Sequence, residues 1–196
     1  MSLVAVPDGK LAAVVTYLEM RSRPDIDIPS SPLRLAPIAP SPAGYRTLFA
    51  RIGAPWLWFS RLIMPDADLA AILDHPRVTL SEVHDGANIA GMLELDAREQ
   101  GACELAFVGL VPELSGRGHG RWLLAEAVAR AWALEGVERV HVHTCSLDHP
   151  AALAAYRRAG FVAVRRAVEI FIDPRLAGIL PSDAAPHVPL VAPPSN

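Results

Sequence analysis

The sequence predicts a mixed α/β fold, and three local patterns carry that prediction. An apolar run of strand character, Cys103–Val111, feeds a glycine-rich loop and then an amphipathic run, Arg121–Glu135. Asp85-Gly86 separates two segments of strand composition, Val78–Val83 and Ile89–Leu95, which is the signature of an antiparallel hairpin. Val137–Thr144 reads as a further strand, followed by a helix that starts at Asp148-His149-Pro150, runs to Arg158 and stops at Gly160.

The remaining elements follow in chain order. Residues 11–20, after the Asp8-Gly9 turn signal, are rich in β-branched and aromatic residues and predict a strand. Prolines 24, 29, 32, 37, 40 and 42 exclude a helix interior and predict an extended connector with a short strand at Leu33–Leu35. A short helix is expected over Ala43–Ile52, then the aromatic segment Pro55–Phe59, read as core in preference to a pocket lining. Asp66–Leu73 reads as a capped helix ending before Pro76. Asp96–Ala102 is a turn, and Phe161–Ile172 supplies one or two final strands. The proline-rich stretch after Pro174 reads as an appended extended segment, so the expected organisation is one domain over 1–173 and a tail over 174–196.

With 196 residues, 52% of them hydrophobic and 20% charged, the chain can bury a sizeable core as one domain without staples. A net charge of −3 disfavours a protein that grips nucleic acid by bulk positive charge. Cys103 and Cys145 form no CxxC pair, and the N-terminus lacks the basic and apolar regions of a signal peptide. No uncharged apolar stretch approaches the ~20 residues of a membrane span. The expectation is a cytoplasmic protein with neither nucleic acid nor membrane as partner.

Ser115-Gly-Arg-Gly-His-Gly120 lies between a strand and a helix, where unpaired amides and the helix dipole favour a phosphate. Glycines at 116, 118 and 120 let that backbone approach a bulky anion, and Arg117 and Arg121 add positive charge or stand in solvent. A Walker loop requires a lysine that this segment lacks, and the dinucleotide G-x-G-x-x-G spacing fails from either Gly116 or Gly118. A pyrophosphate ligand of another kind is left.

Residues 103–161 resemble the acyl-CoA-binding core of the GNAT superfamily of N-acetyltransferases. Ser115–Gly120 is similar to its [QR]-x-x-G-x-[GA] signature, with Ser115 in place of Gln or Arg, and Val108-Gly-Leu-Val-Pro112 is similar to the run that precedes it. His149-Pro-Ala-Ala-Leu-Ala-Ala-Tyr156-Arg-Arg-Ala-Gly160-Phe161 looks like the family's N-x-x-A-x-x-L-Y-x-x-x-G-F helix, with His149 at the Asn position and Ala155 at the Leu position. The resemblance implies a mixed, mainly antiparallel central sheet flanked by helices on both faces, with a core over about 78–172. It also implies acetyl-CoA as cosubstrate and a primary amine as acceptor.

Acetyl transfer from a thioester requires an amine of pKa ~10.4 to lose a proton, a fixed donor for the oxyanion, and protonation of a thiolate of pKa ~8.5. Glu104 is the candidate base: period-two alternation puts it on one face with Ala106, Val108 and Leu110, and histone-type members of the family carry a glutamate at the matching place. A strand-start residue facing solvent is the competing reading, and Glu94 or a water chain stands next in line as base. The resemblance gives Tyr156 as the acid, against a simple core tyrosine. It also gives the Leu110 N–H as the oxyanion donor, with Val108 and Gly109 beside the pantetheine arm. The pyrophosphate falls to Ser115, Gly116, Arg117, Gly118, His119, Gly120 and Arg121, with His149 as a further cofactor contact.

Rival functions are an acyl-CoA sensor without catalysis and a plain interaction protein built on Trp56–Phe59 and the proline-rich tail. His141 and His143 share a strand face, but two ligands do not make a metal site. Trp56, Trp58, Phe59 and the 66–74 helix are candidate acceptor-side elements, and the two-tryptophan segment suits a dimer interface equally, so a homodimer stays open.

Overall fold

The computed structural model describes residues 3–193. The described residues form, in order, β1 (Lys10–Met20), β2 (Arg34–Pro37), α1 (Pro42–Gly53), α2 (Ser60–Ile63), α3 (Asp66–Leu73), β3 (Val78–Asp85), β4 (Asn88–Asp96), β5 (Ala102–Leu110), α4 (His119–Ala133), β6 (Arg139–Cys145), α5 (Ala152–Arg158) and β7 (Val162–Ile172). The strands make one seven-stranded sheet ordered β2-β3-β4-β5-β6-β1-β7. All neighbours run antiparallel except β5 and β6. This is the expected mixed sheet flanked by helices.

Local chemistry explains most boundaries. Ser41 caps α1 by accepting from the Gly44 N–H at 3.2 Å, with Pro42 in the first turn. Gly86 turns the β3–β4 hairpin at φ +59°, a conformation that favours glycine. α4 begins two residues earlier than Arg121, because Gly118 at φ +83° ends the loop directly before His119. The helix expected from Asp148 starts only at Ala152, after a turn held by side chains of the loop.

The place of β1 is the topological feature that sequence pattern does not reveal. It lies between β6 and β7, pairing Val15–Met20 with Cys145–Val140 on one side and Lys10–Glu19 with Ile172–Val162 on the other. The N-terminal strand is therefore interior, one place in from the edge that β7 takes. Helix α1 covers β4 and β5, with Phe49 edge-on to Phe107 at 4.8 Å. Helix α4 packs on the opposite side, burying Trp122, Leu123, Leu124, Ala127 and Val128 in the same core.

The stretch after β7 differs from the extended tail expected. Leu180 and Ala185 pack against Leu57, with Leu11, Leu62 and Leu147 around them. Arg175 anchors the turn: its guanidinium donates to both Asp173 carboxylate oxygens at 3.0 and 2.7 Å and to the Val188 carbonyl at 2.8 Å. The two side chains are 2% and 3% exposed. Burial pushes the Asp173 carboxyl up, but the Arg175 hydrogen bonds and charge outweigh it and hold the group below the ordinary carboxylate range.

Arg175→Met leaves Asp173 buried without its partner, so denaturant titration should show a loss of about 3–5 kcal/mol. Limited proteolysis should then cut within residues 176–193 before the sheet. A carboxyl with a depressed folded pKa stabilises above its unfolded value of ~3.9 and loses that contribution as pH falls from there through the lower folded value, so the same cleavage should set in for the wild-type protein only as the pH drops beneath the ordinary aspartate range.

Candidate active site

The site begins where two strands part. β5 and β6 pair only at Ala102–Glu104 with Arg139–His141, although both continue beyond those residues. Past Glu104, β5 stays with β4 and β6 stays with β1, so a cleft opens between them. The Val111 N–H donates to the Ala90 carbonyl at 2.9 Å. Strand alternation turns the N–H groups of Leu110 and Val108 the other way, into the cleft. Gly109 lies on the α1 face, where a Cβ would stand 2.6 Å from Ile52 Cγ2 and 3.2 Å from Trp58 Cη2. Close packing of α1 thus requires glycine there.

At the end of β5 the chain turns through Pro112–Leu114 into the glycine loop. Gly116 and Gly118 have φ of +76° and +83°, and the space around Gly116, Gly118 and Gly120 is open. α4 has no side-chain cap and no acidic residue in its first turn. Among the described residues, no backbone carbonyl accepts from the amides of 116–120. Ser115, Arg117 and Arg121 are exposed and His119 is half-buried. A row of free amides at the positive end of a 15-residue helix forms a cradle for an anion.

Glu104 sits at the vertex of the cleft but not on the face expected. The β4–β5 register slips between Glu94 and Leu95, pairing Glu104 with Asp96, Leu105 with Leu95 and Phe107 with Glu94, so Ala106 is an extra residue. The bulge breaks the two-residue period and separates Glu104 from the face of Val108 and Leu110. Its carboxylate instead reaches β6 and meets His143 Nδ1 at 3.0 Å.

This contact sets the electrostatics of the pair. Burial raises the Glu104 pKa, but the His143 hydrogen bond and the charges of His143 and His141 bring it below the ordinary value. The Glu104 hydrogen bond raises the His143 pKa against burial, helped by Asp148 and Glu169. Burial lowers that of His141. Tyr17 lies beside His143 with ring centres 5.9 Å apart, and the Arg165 guanidinium stacks on Tyr17 at 3.9 Å. Among the described residues no group of three or more potential metal ligands comes together.

Tyr156 projects from α5 against Phe161, with ring centres 5.9 Å apart. Burial and the nearby Asp148 hold its phenol well above the ordinary range, so it is protonated throughout physiological pH. His149 caps the turn before α5 by accepting from the Ala151 N–H at 3.1 Å and packs against Trp56. Asp148, which the sequence analysis did not single out, ties the region together. It accepts from Thr144 Oγ1 at 2.7 Å, the Cys145 N–H at 2.8 Å and Trp58 Nε1 at 3.1 Å. The aromatic segment is spent on contacts within the chain: Trp58 on Phe49 and Phe107, Phe59 on Phe171, Trp56 on His149 and His187.

Glu94 is removed as an alternative base. It is 0% exposed, takes Arg61 Nη2 at 2.6 Å on one oxygen and the Tyr45 hydroxyl on the other, and so has no free oxygen facing the cleft. The Arg61 guanidinium also lies over Phe107. This buried triad joins α1 and α2 to β4 behind the cleft.

A family model described as the acetyltransferase (GNAT) family matches residues 46–161. No curated protein sequence matches the chain. Among solved structures, a GCN5-related N-acetyltransferase from Sphaerobacter thermophilus superposes with a TM-score of 0.59 at 20% identity, covering 81% of this chain and 51% of its own. A GCN5-related N-acetyltransferase from Kribbella flavida gives 0.56 at 20% identity over 87% of this chain and 63% of its own. An acetyltransferase from Thermus thermophilus gives 0.51 at 22% identity, covering 71% and 96% respectively. The chain thus spans little more than half of the Sphaerobacter protein, and these likenesses show a shared fold.

Gly109→Ala should cost about 1–3 kcal/mol in equilibrium unfolding, because the new methyl meets Ile52 and Trp58 in a filled space. The near-ultraviolet circular dichroism of the tryptophans should change with it, as Trp58 is pushed from its place on Phe107.

Proposed function

The chain belongs to the GNAT acetyltransferase family, and from that premise we propose that it moves the acetyl group of acetyl-CoA directly onto a primary amine. The observation that carries this reading is the continuity of the cleft with the free amides of the glycine loop. The pyrophosphate rests on the amides of Gly116–Gly120 with Arg117 and Arg121 beside it, Ser115 and His119 flank the cradle, and His149 lies at the α5 end. The pantetheine arm lies along β5 past Val108, Gly109 and Leu110, in place of the strand neighbour that β5 lacks there.

The Leu110 N–H is assigned to the developing oxyanion. A fixed donor of this kind contributes about 2.7–4 kcal/mol of transition-state stabilisation. Tyr156 gives its proton to the departing thiolate. Its raised pKa keeps it protonated at every working pH but makes it a weak acid, so it gives the proton as the C–S bond breaks and the phenolate regains one from solvent.

Glu104 works as a base through His143. A carboxylate held below its ordinary pKa is a poor acceptor for an ammonium proton, whereas an imidazole raised above its ordinary value is a better one. With Nδ1–H donated to Glu104, His143 presents its Nε2 lone pair to the amine, and the carboxylate stabilises the imidazolium that forms.

Two experiments test this reading. Acetyl-CoA or CoA at 100 times its dissociation constant adds ~2.7 kcal/mol and should raise the unfolding midpoint by about 5–10 °C, with NAD and ATP inert. Absence of that rise overturns the cofactor assignment. Acetylation of a primary-amine panel, followed by thiol release, should rise with pH through the His143 pKa, because only the neutral ring accepts a proton. Glu104→Gln removes the largest raising influence on that ring, so the midpoint should move to lower pH as the maximal rate falls. Tyr156→Phe should slow turnover by about 10²-fold. An unchanged pH profile in Glu104→Gln removes the pair from the mechanism.

A further inference from the structure

The two edges of the sheet are built differently. β2 is four residues long, carries Arg34 and ends at Pro37, which are the devices that keep an edge strand from pairing with another chain. β7 has eleven residues, no proline and no lysine. Among the described residues, no backbone group outside β1 bonds to it. Val168 and Ile172 are 65% and 60% exposed, and Val164 and Ile170 are also open to solvent. β7 is thus a long edge without proline whose charges, Arg165, Arg166 and Glu169, are of both signs and can pair across a ladder as well as repel one.

We propose that β7 pairs antiparallel with β7 of a second copy, with Ala167 on the two-fold axis. The Asp173 N–H donates inward to the Gly9 carbonyl, so alternation turns the N–H and C=O groups of Arg166, Val168, Ile170 and Ile172 outward, toward a neighbour. A two-fold axis pairs residues on the same face, which leaves a small set of registers. Axes at 165, 166 or 169 set Arg165, Arg166 or Glu169 against its own copy. An axis at 168 sets Arg165 against Phe171 and Arg166 against Ile170 and pairs no opposite charges. Only the axis at 167 sets Arg165 opposite Glu169 of the partner subunit, and it does so twice.

That register satisfies the backbone as well. Arg166 and Val168 of the partner subunit become a hydrogen-bonded pair, and Val164 faces Ile170 of the partner subunit at the margin. Ala167 meets its own copy at a non-hydrogen-bonded position, where the Cα atoms are ~4.5 Å apart and small side chains fit. The bulge opposite Tyr17 and Leu18 falls at Val164 and closes the regular ladder there. The contact is isologous, so association stops at two. The result is a continuous sheet through both copies, with each cleft left open on its own side of β1.

The test is solution mass, read by sedimentation or light scattering on the full chain at micromolar concentration, where twice the chain mass is expected. Glu169→Arg places arginine opposite arginine and should halve the mass, and the exchange Arg165→Glu with Glu169→Arg should restore it. Ala167→Cys should give a disulfide-linked dimer on mild oxidation, since the axial pair meets disulfide geometry. Far-ultraviolet circular dichroism checks that each variant is folded. A monomeric wild type overturns the proposal, as does a dimer indifferent to Glu169→Arg, an oligomer larger than two, or an Ala167→Cys variant that stays reduced.

Discussion

Everything in this molecule is arranged around the parting of β5 and β6. A sheet gains its stability from paired backbone groups, and leaving two adjacent strands unpaired along more than half their length strands amides and carbonyls that water or a ligand must satisfy. The structure confines that cost by holding each strand from its far side: β4 grips β5 to the Val111–Ala90 bond, and β1 grips β6 from Val140 to Cys145. The three residue pairs left at the base act as a hinge pin, and the Glu104–His143 contact ties them at the side-chain level. The cleft is therefore a rigid wedge.

This constraint accounts for the position of β1. Without a strand on its outer side, β6 would be an edge with an open cleft on one flank and solvent on the other. The N-terminal strand fills that position and is itself covered by β7. The segment after β7 then returns across Leu11 and Leu57, fixed by the buried Arg175–Asp173 pair. One end of the chain thus supports β6 from within the sheet while the other walls the α1 side, which makes these long-range contacts part of the site's rigidity.

The glycine loop, the hairpin and the starts of α1 and α3 were legible because each depends on residues a few positions apart. Gly116 and Gly118 are required by positive φ, and Gly86 by the turn it makes. The family follows from the same local patterns. What could not be read depends on partners distant in sequence. Glu104 lies in an apparently regular strand, and only its pairing with β4 reveals the bulge at Ala106 that turns it toward His143. Glu94 looks like a spare carboxylate until Arg61 and Tyr45, from two other elements, are found on its oxygens. Arg175 gave no signal and Asp148 read only as the start of a helix, both being ordinary polar residues in loops whose value comes from carbonyls and donors elsewhere in the chain.

The bulge also explains why two carboxylates on neighbouring strands have such different surroundings. Glu94 pairs with Phe107 just past the slip and is sealed under α1, where only a fixed cation and a hydroxyl make its charge tolerable. Glu104 lies before the slip, at the last pair that β5 shares with β6, and its partner is a half-exposed imidazole that can gain or lose a proton. An arginine partner fixes charge, whereas a histidine partner lets charge change near neutral pH. One extra residue in β5 thus divides a structural carboxylate, which anchors α1 and α2 behind the wedge, from one placed at the vertex with a titratable neighbour.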